Sequence, residues 1–328
     1  MDIIECLRLR SLYSNLPLKD RSRNETFYCY IKTVLDDFIS ELKNVEEDEL
    51  SPILNSVCTF NHFKAPYTKQ RFINLMNKVC VDFLDILQLC YKGDFYNAHR
   101  LLDKVLNTQR YRLYLTEEYR NYFNFKDPNQ KFFRMRDADE FDKDGNPIIL
   151  DNCWHVPYDM RHIADSGRYS LLGSPCLYLA SSLKTSDAEL GDLQKGRVRW
   201  VGSFIYKGRS LVYDFRLPTV DEIETVLHYD QFVMLLQYPL LAMCYCVSRG
   251  NSFNEEYYIP QLLFHHILVN KNNGIQFDGI AYTSTKDREG FNIAFPARYN
   301  QEVPPSDGYS DYLMDVFTVT KPIIYRKG

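Results

Sequence analysis

Apolar positions in the first third of the chain recur at three- and four-residue spacing. Over residues 26–44, Phe27, Tyr30, Ile31, Val34, Leu35, Phe38, Ile39 and Leu42 recur at mixed three- and four-residue spacing, a stripe that predicts an amphipathic helix. Residues 71–93 keep the same period over several turns and end at Gly93, a residue suited to the position just past a helix. Residues 94–107 then predict the second arm of a helical hairpin, with Asp94 as its N-cap. The texture changes near residue 125. Turn signals stand at Asp127-Pro128-Asn129 and at Asp144-Gly145-Asn146-Pro147. Beyond them, short runs rich in aliphatic and aromatic residues predict strands at 176–182, 198–206, 210–215, 277–284 and 291–296. Helices are predicted between them at 184–194, 220–227 and 257–270, the last with Pro260 in its first turn.

The most apolar run, residues 232–247, is shorter than the roughly 20 residues a membrane-spanning helix needs, and Gln237 and Pro239 interrupt it. It predicts a buried helix, kinked or started at the proline. The expected class is α+β: an all-α domain of unknown role over residues 1–125, followed by a mixed α/β domain over 126–328.

Composition narrows the function classes. A formal net charge of −4 gives no basic footprint for nucleic acid. The 25 tyrosines and 21 phenylalanines, with modest Gly and Pro, argue for packed structure over disorder. The nine cysteines are odd in number and lack metal-ligand spacing; Cys244 and Cys246 form a lone pair inside the apolar run, where core packing explains them. The opening residues lack a long apolar segment of the signal-peptide kind, so scattered thiols point to a reducing cytoplasm. No membrane partner is expected. His155, His162, His265 and His266 have no His-x-x-x-His spacing, so no metal is expected. The acidic run Asp137, Asp139, Glu140, Asp142 and Asp144 lacks the ligand order of a calcium loop and predicts a solvated turn.

Residues 167–190, GRYSLLGSPCLYLASSLKTSDAEL, form a loop, a short strand and a helix. Ser186 and Glu189 have the spacing of a capping box, and on local pattern that reading of Glu189 is favoured about two to one. Taken singly, Arg168 reads as a salt-bridging arginine and Tyr178 as a core tyrosine. Taken together, the three suit a dinucleotide. Arg168 can grip a diphosphate. Tyr178 can stack on a cationic ring, worth roughly 0.5–2 kcal/mol. Glu189 can hydrogen-bond a ribose and stabilise positive charge developing at its anomeric carbon.

This stretch resembles the core motif of the RES domain family: a Gly-Arg-aromatic start, a Gly-x-Pro turn and a Leu-Tyr-Leu-Ala strand, with ten residues from Arg168 to Tyr178 and eleven from Tyr178 to Glu189. The segment DGIAYTSTKDREGFNIAF resembles the family's closing motif and brings in Ser284 and Asn292. FFRMR, with Arg134, resembles its opening, while CWHVPYDMRHI and EYYIPQLL resemble segments of its longer members. The resemblance spans about residues 130–300 and leaves out the N-terminal helices. Where the family commonly has Gly-Arg-Trp-Asn, this chain has Gly167-Arg168-Tyr169-Ser170.

The resemblance implies an ADP-ribosyltransferase-like fold acting on NAD as substrate. Glu189, Arg168 and Tyr178 are then catalytic. Arg168, Tyr178, Ser284, Arg134 and Asn292 bind the dinucleotide. It further implies a growth-inhibiting toxin that cleaves the nicotinamide–ribose bond with water or phosphate as acceptor, and an antitoxin or other regulatory protein as partner. Two other readings stay open: transfer of ADP-ribose to a protein or nucleic acid, and a non-catalytic partner-binding module in which Glu189 is merely a cap.

Overall fold

A computed structural model of the chain describes residues 12–19, 21–22, 25–56, 67–108, 123, 125, 129–208, 210–225, 228–248, 254–269, 276–299 and 308–326. Residues 1–11, Cys58 and the expected turn at Asp127-Pro128 lie outside them. The chain is a mixed α+β protein with two compact units. One comprises Met1–Tyr119 and Leu217–His266, the other Arg120–Arg216 and Ile267–Gly328. The border drawn from sequence at residue 125 differs from this division in placing Leu217–His266 with the sheet. These residues are grouped with the helices because their main helix is apolar nearly all round and needs other helices to bury it.

In the helical unit, α1 (Phe27–Asn44) is capped by Thr26, whose side chain accepts the Cys29 N–H at 3.2 Å. Of its apolar stripe Phe27, Ile31, Leu35, Phe38, Ile39 and Leu42 are buried, while Tyr30 and Val34 at its edge are only partly so. α2 spans Glu47–Ser56 and α3 spans Lys69–Tyr91. Gly93, with φ of 74°, then turns the chain, and Asp94 caps α4 (Phe95–Leu106) by accepting the Asn97 N–H at 3.2 Å. The hairpin is thus the expected one. The other helices here are α6 (Val220–Thr225), α7 (His228–Cys244) and α8 (Tyr258–Val269). Pro239 lies inside α7, so that helix does not start at the proline. Tyr238 of α7 packs on Phe38 with ring centroids 4.7 Å apart, and Phe232 on Phe72 at 5.4 Å. Cys244 and Cys246 are buried in this core. Among the described residues no helix is long and apolar enough to cross a membrane.

The second unit is built on one mixed sheet. Its strands are β1 (Lys131–Asp139), β2 (Cys176–Ala180), β3 (Arg197–Tyr206), β4 (Val212–Asp214), β5 (Gly279–Thr283), β6 (Phe291–Pro296), β7 (Phe317–Val319) and β8 (Ile323–Ile324). The order is β4-β5-β6-β2-β1-β3-β7, with β8 also paired to β3. β4 and β5 pair in parallel and the remaining pairs are antiparallel. β1 was not predicted as a strand, because its run KFFRMRDAD mixes charges among the apolar positions.

Register decides which side chains meet. Leu177 and Leu179 face Phe295 and Ile293 across β2 and β6, and Ile293 faces Ala281 across β6 and β5. All five are buried in one core cluster with Phe132 and Phe204. Alternation therefore sends Tyr178, Asn292 and Tyr282 to the opposite face. β1 and β2 pair at one position, Phe133 with Ala180. Beyond it the two strands part, leaving Arg134 and Tyr178 on the two sides of a split in the sheet.

Candidate active site

β2 runs through a two-residue turn into α5 (Leu183–Leu190). Ser182, in extended conformation, caps this helix: its Oγ accepts the Thr185 N–H at 3.0 Å. The expected capping box is therefore not formed. Ser186 lies within the helix and is buried, and Glu189 sits in the last turn. The helix was expected to reach Gln194 but ends at Leu190, where Gly191 takes a φ of 72° that an L side chain adopts only with strain.

Freed from a capping role, Glu189 turns toward the sheet. Its Oε1 accepts two hydrogen bonds, from Ser284 Oγ at 2.7 Å and from Asn292 Nδ2 at 2.6 Å. Oε2 accepts none among the described residues, and the side chain is solvent-exposed. One oxygen anchors the carboxylate while the other remains available.

Ser284 is itself fixed. It follows β5, is fully buried, and its Oγ accepts the N–H groups of Lys286 at 3.1 Å and Asp287 at 2.9 Å. Its single proton is thereby left for Glu189. The 284–290 turn is closed by Ser284 N–H to the Gly290 carbonyl at 3.0 Å. Asp287 reaches across to α5 and accepts from Thr185 Oγ1 at 2.8 Å. A side chain at Gly290 would overlap Thr185 Oγ1, so only glycine permits this approach.

A buried arginine holds the far end of α5. Arg199 of β3 grips Asp137 of β1 through Nε at 2.7 Å and Nη2 at 2.9 Å, bonds the Asp187 carboxylate through Nη1, and reaches the Gly191 carbonyl at 3.0 Å. Its two helix contacts bracket Glu189. The acidic run thus sends Asp137 into an ion pair, while Asp142 closes the expected turn by accepting the N–H groups of Asp144 and Asn146. Among the described residues no group of three or more His, Cys, Asp or Glu could hold a metal ion.

Tyr178 organises the loop that carries Arg168. Its hydroxyl accepts the Tyr169 N–H at 3.0 Å and donates to Ser170 Oγ at 2.9 Å. Gly167 and Ser170 bond each other's backbone across the turn. A Cβ at Gly167 would stand 2.5 Å from the Tyr178 hydroxyl, which explains the glycine. Arg168, between them, is buried. The hydroxyl is engaged within the protein, so what Tyr178 can offer a ligand is its ring.

Tyr282 joins these groups. It pairs with Asn292 in register, its ring lies 4.6 Å from that of Tyr169, and it is buried. Burial, then the Glu189 and Tyr178 groups, push its phenol well above the usual range, with Arg168 opposing. All three expected catalytic side chains therefore act on one buried phenol. Sequence reasoning missed Tyr282, although period-two alternation along β5 places it on the face that Ser284 continues.

Arg134 is reached differently. By alternation it shares a face with Phe132, opposite Gly202 of β3. Its Nη1 is shielded and has no hydrogen-bond partner among the described residues. Burial, with Arg136 beside it, lowers its pKa to about 10, and Cys153, Cys176 and Tyr178 counter that shift. Cys176, whose thiol burial raises to about 12, is not a nucleophile at neutral pH. His155 is buried and structural: its Nε2 accepts the Ser310 N–H at 3.0 Å, and its Nδ1 lies 2.7 Å from the Val156 carbonyl.

No family model matches the chain, and no solved structure matches it. The chain is 22% identical over 332 residues to a protein of Bacillus subtilis (strain 168) described as "Putative toxin YopC", in an alignment covering 94% of this chain and 68% of that protein.

Proposed function

We propose that the chain is an NAD-consuming enzyme of the RES type that breaks the nicotinamide–ribose bond and acts as a growth-inhibiting toxin. The observation that carries this reading is the one-sided anchoring of Glu189: Ser284 and Asn292 hold Oε1, and Oε2 accepts no hydrogen bond among the described residues. In the reaction the bond between ribose C1′ and the pyridinium nitrogen breaks, and its electron pair goes to the nitrogen. Nicotinamide leaves neutral, so no general acid is needed. Positive charge develops at C1′ and the ring oxygen, where a fixed carboxylate is worth most. Water or phosphate then bonds C1′ and releases a proton to solvent.

The remaining residues take supporting roles. Arg168 binds the diphosphate. The ring of Tyr178 stacks on the nicotinamide. Ser284 and Asn292 act through Glu189. The similarity to a protein described as a toxin supports the biological half of the proposal, and a toxin of this kind calls for a neutralising partner protein. Loss of NAD inside the cell implies a cytoplasmic site of action.

The test is product analysis after mixing the pure protein with NAD, with and without phosphate. Free nicotinamide with ADP-ribose, or with a phosphorylated ADP-ribose when phosphate is present, is the expected result. Intact NAD overturns the reading. Label from NAD appearing on macromolecules instead would move the assignment to ADP-ribosyl transfer.

A further inference from the structure

Two tyrosines lie on the same face of the sheet, and their hydroxyls differ. That of Tyr178 both accepts and donates within the protein. That of Tyr282 makes no hydrogen bond among the described residues, although the residue is only 7% exposed. Its oxygen is nevertheless not sealed from solvent, so a largely buried ring presents a hydroxyl that a ligand can reach. The ring is held independently of the hydroxyl, by Tyr169 at 4.6 Å and by the pairing of Tyr282 with Asn292. Asn292 donates to Glu189, so Tyr282 stands next to the side chain that holds the carboxylate. Of the charges acting on Tyr282, that of Glu189 is the strongest.

We infer that Tyr282 is a further ligand-contacting residue of this site, its hydroxyl donating to a hydroxyl oxygen of the ribose joined to nicotinamide. The inference rests on the NAD reading and deepens it, because it names the sugar as the group recognised beside Glu189. Tyr178 then supplies a ring face and Tyr282 a polar contact. Neither the stacking tyrosine nor the carboxylate duplicates that contact.

Tyr282→Phe removes one oxygen and keeps the ring. Because the hydroxyl has no protein partner to lose, the melting temperature of the free variant should equal that of the parent. Calorimetric titration with ADP-ribose should give binding weaker by about threefold to tenfold, the range of one neutral hydrogen bond. Titration with nicotinamide alone, which lacks the sugar, should give the same affinity in both proteins. Equal ADP-ribose affinity in parent and variant overturns the inference while leaving the NAD reading intact. So does a lower melting temperature of the free variant, which would make the hydroxyl structural. A parent that binds neither ADP-ribose nor NAD overturns the NAD reading, and this inference falls with it.

Discussion

Ser284 Oγ lies 2.7 Å from Glu189 Oε1 and accepts two backbone N–H groups of its own turn, those of Lys286 and Asp287. The hydroxyl proton therefore has one direction to go, toward the carboxylate. A side chain on the last turn of α5 is thereby tied to a turn almost a hundred residues further along the chain. Asn292 of β6 adds a second bond to the same oxygen. Two bonds thus hold Oε1, and the proposed chemistry assigns Oε2 to the substrate.

Glu189→Gln tests that division of labour. The amide oxygen of glutamine can still accept from Ser284 and Asn292, so the melting temperature should stay within a degree or so of the parent's. The charge facing the ribose is gone. Turnover of NAD should drop several hundredfold, corresponding to ~3–4 kcal/mol of transition-state stabilisation. Equal turnover in the two proteins would remove Glu189 from the mechanism.

Ser284→Ala should act on both stability and rate. It leaves the N–H groups of exposed Lys286 and buried Asp287 without their acceptor, which costs about 1–3 kcal/mol. It also removes one of the two bonds that orient Glu189. If Ser284 acts through Glu189, as proposed, kcat for NAD should fall about tenfold with KM little changed, in the manner of a lost positioning contact. A variant with raised KM and unaltered kcat would place Ser284 on the ligand instead.

Arg199→Met addresses the other end of α5. Arg199 and its partners Asp137 and Asp187 are all largely buried. Removing the shared cation leaves two carboxylates facing each other without compensation, and breaking a buried pair in this way costs about 3–5 kcal/mol. Arg199→Lys keeps the charge but cannot reproduce the forked grip on Asp137. Its loss of stability in denaturant unfolding should fall between parent and methionine variant. A methionine variant as stable as the parent would show that the ion network contributes nothing.

What the sequence made legible, and what it hid, follows from the range of the interactions. The cap of α4 is a contact between residues three apart, and Asp94 could be read directly. The strands β2 and β6 were equally visible, since aliphatic alternation is local. The cap of α5 was misread because Ser182 and Ser186 both have plausible spacing; only the extended backbone at Ser182 decides between them. The residues holding Glu189 were named through a resemblance, but their attachment to Oε1 depends on the register of β5, β6 and β2, which no local pattern fixes. Arg199 was invisible for the same reason. An arginine in an apolar strand gives no sign of its partners, and Asp137 lay in a run that looked like a solvated turn. The grouping of Leu217–His266 with the helices also depends on distant partners, such as Phe38 for Tyr238 and Phe72 for Phe232.

Acid should weaken the helical unit through a cluster that the proposed chemistry does not use. His266 Nδ1 lies 2.5 Å from Asp103 Oδ1, His99 Nδ1 lies 3.2 Å from Asp103 Oδ2, and His265 Nδ1 lies 2.9 Å from His99 Nε2. Burial holds both His265 and His266 below the ordinary imidazole value of 6.5, with the pull of Asp103 too small to offset it. The unfolded chain therefore binds protons at these residues before the folded one does. Stability is fully present above the unfolded value and declines as the pH falls below about 6.5, levelling off once the folded value is passed. The denaturant midpoint should be flat between about pH 8 and pH 7 and should fall between about pH 6.5 and pH 5, before most carboxylates titrate. In His266→Asn the midpoint at neutral pH can shift, but its fall across that acidic window should be shallower than the parent's. A parent midpoint that stays level or rises on acidification, or a variant with an equally steep fall, would show that these histidines do not set the response.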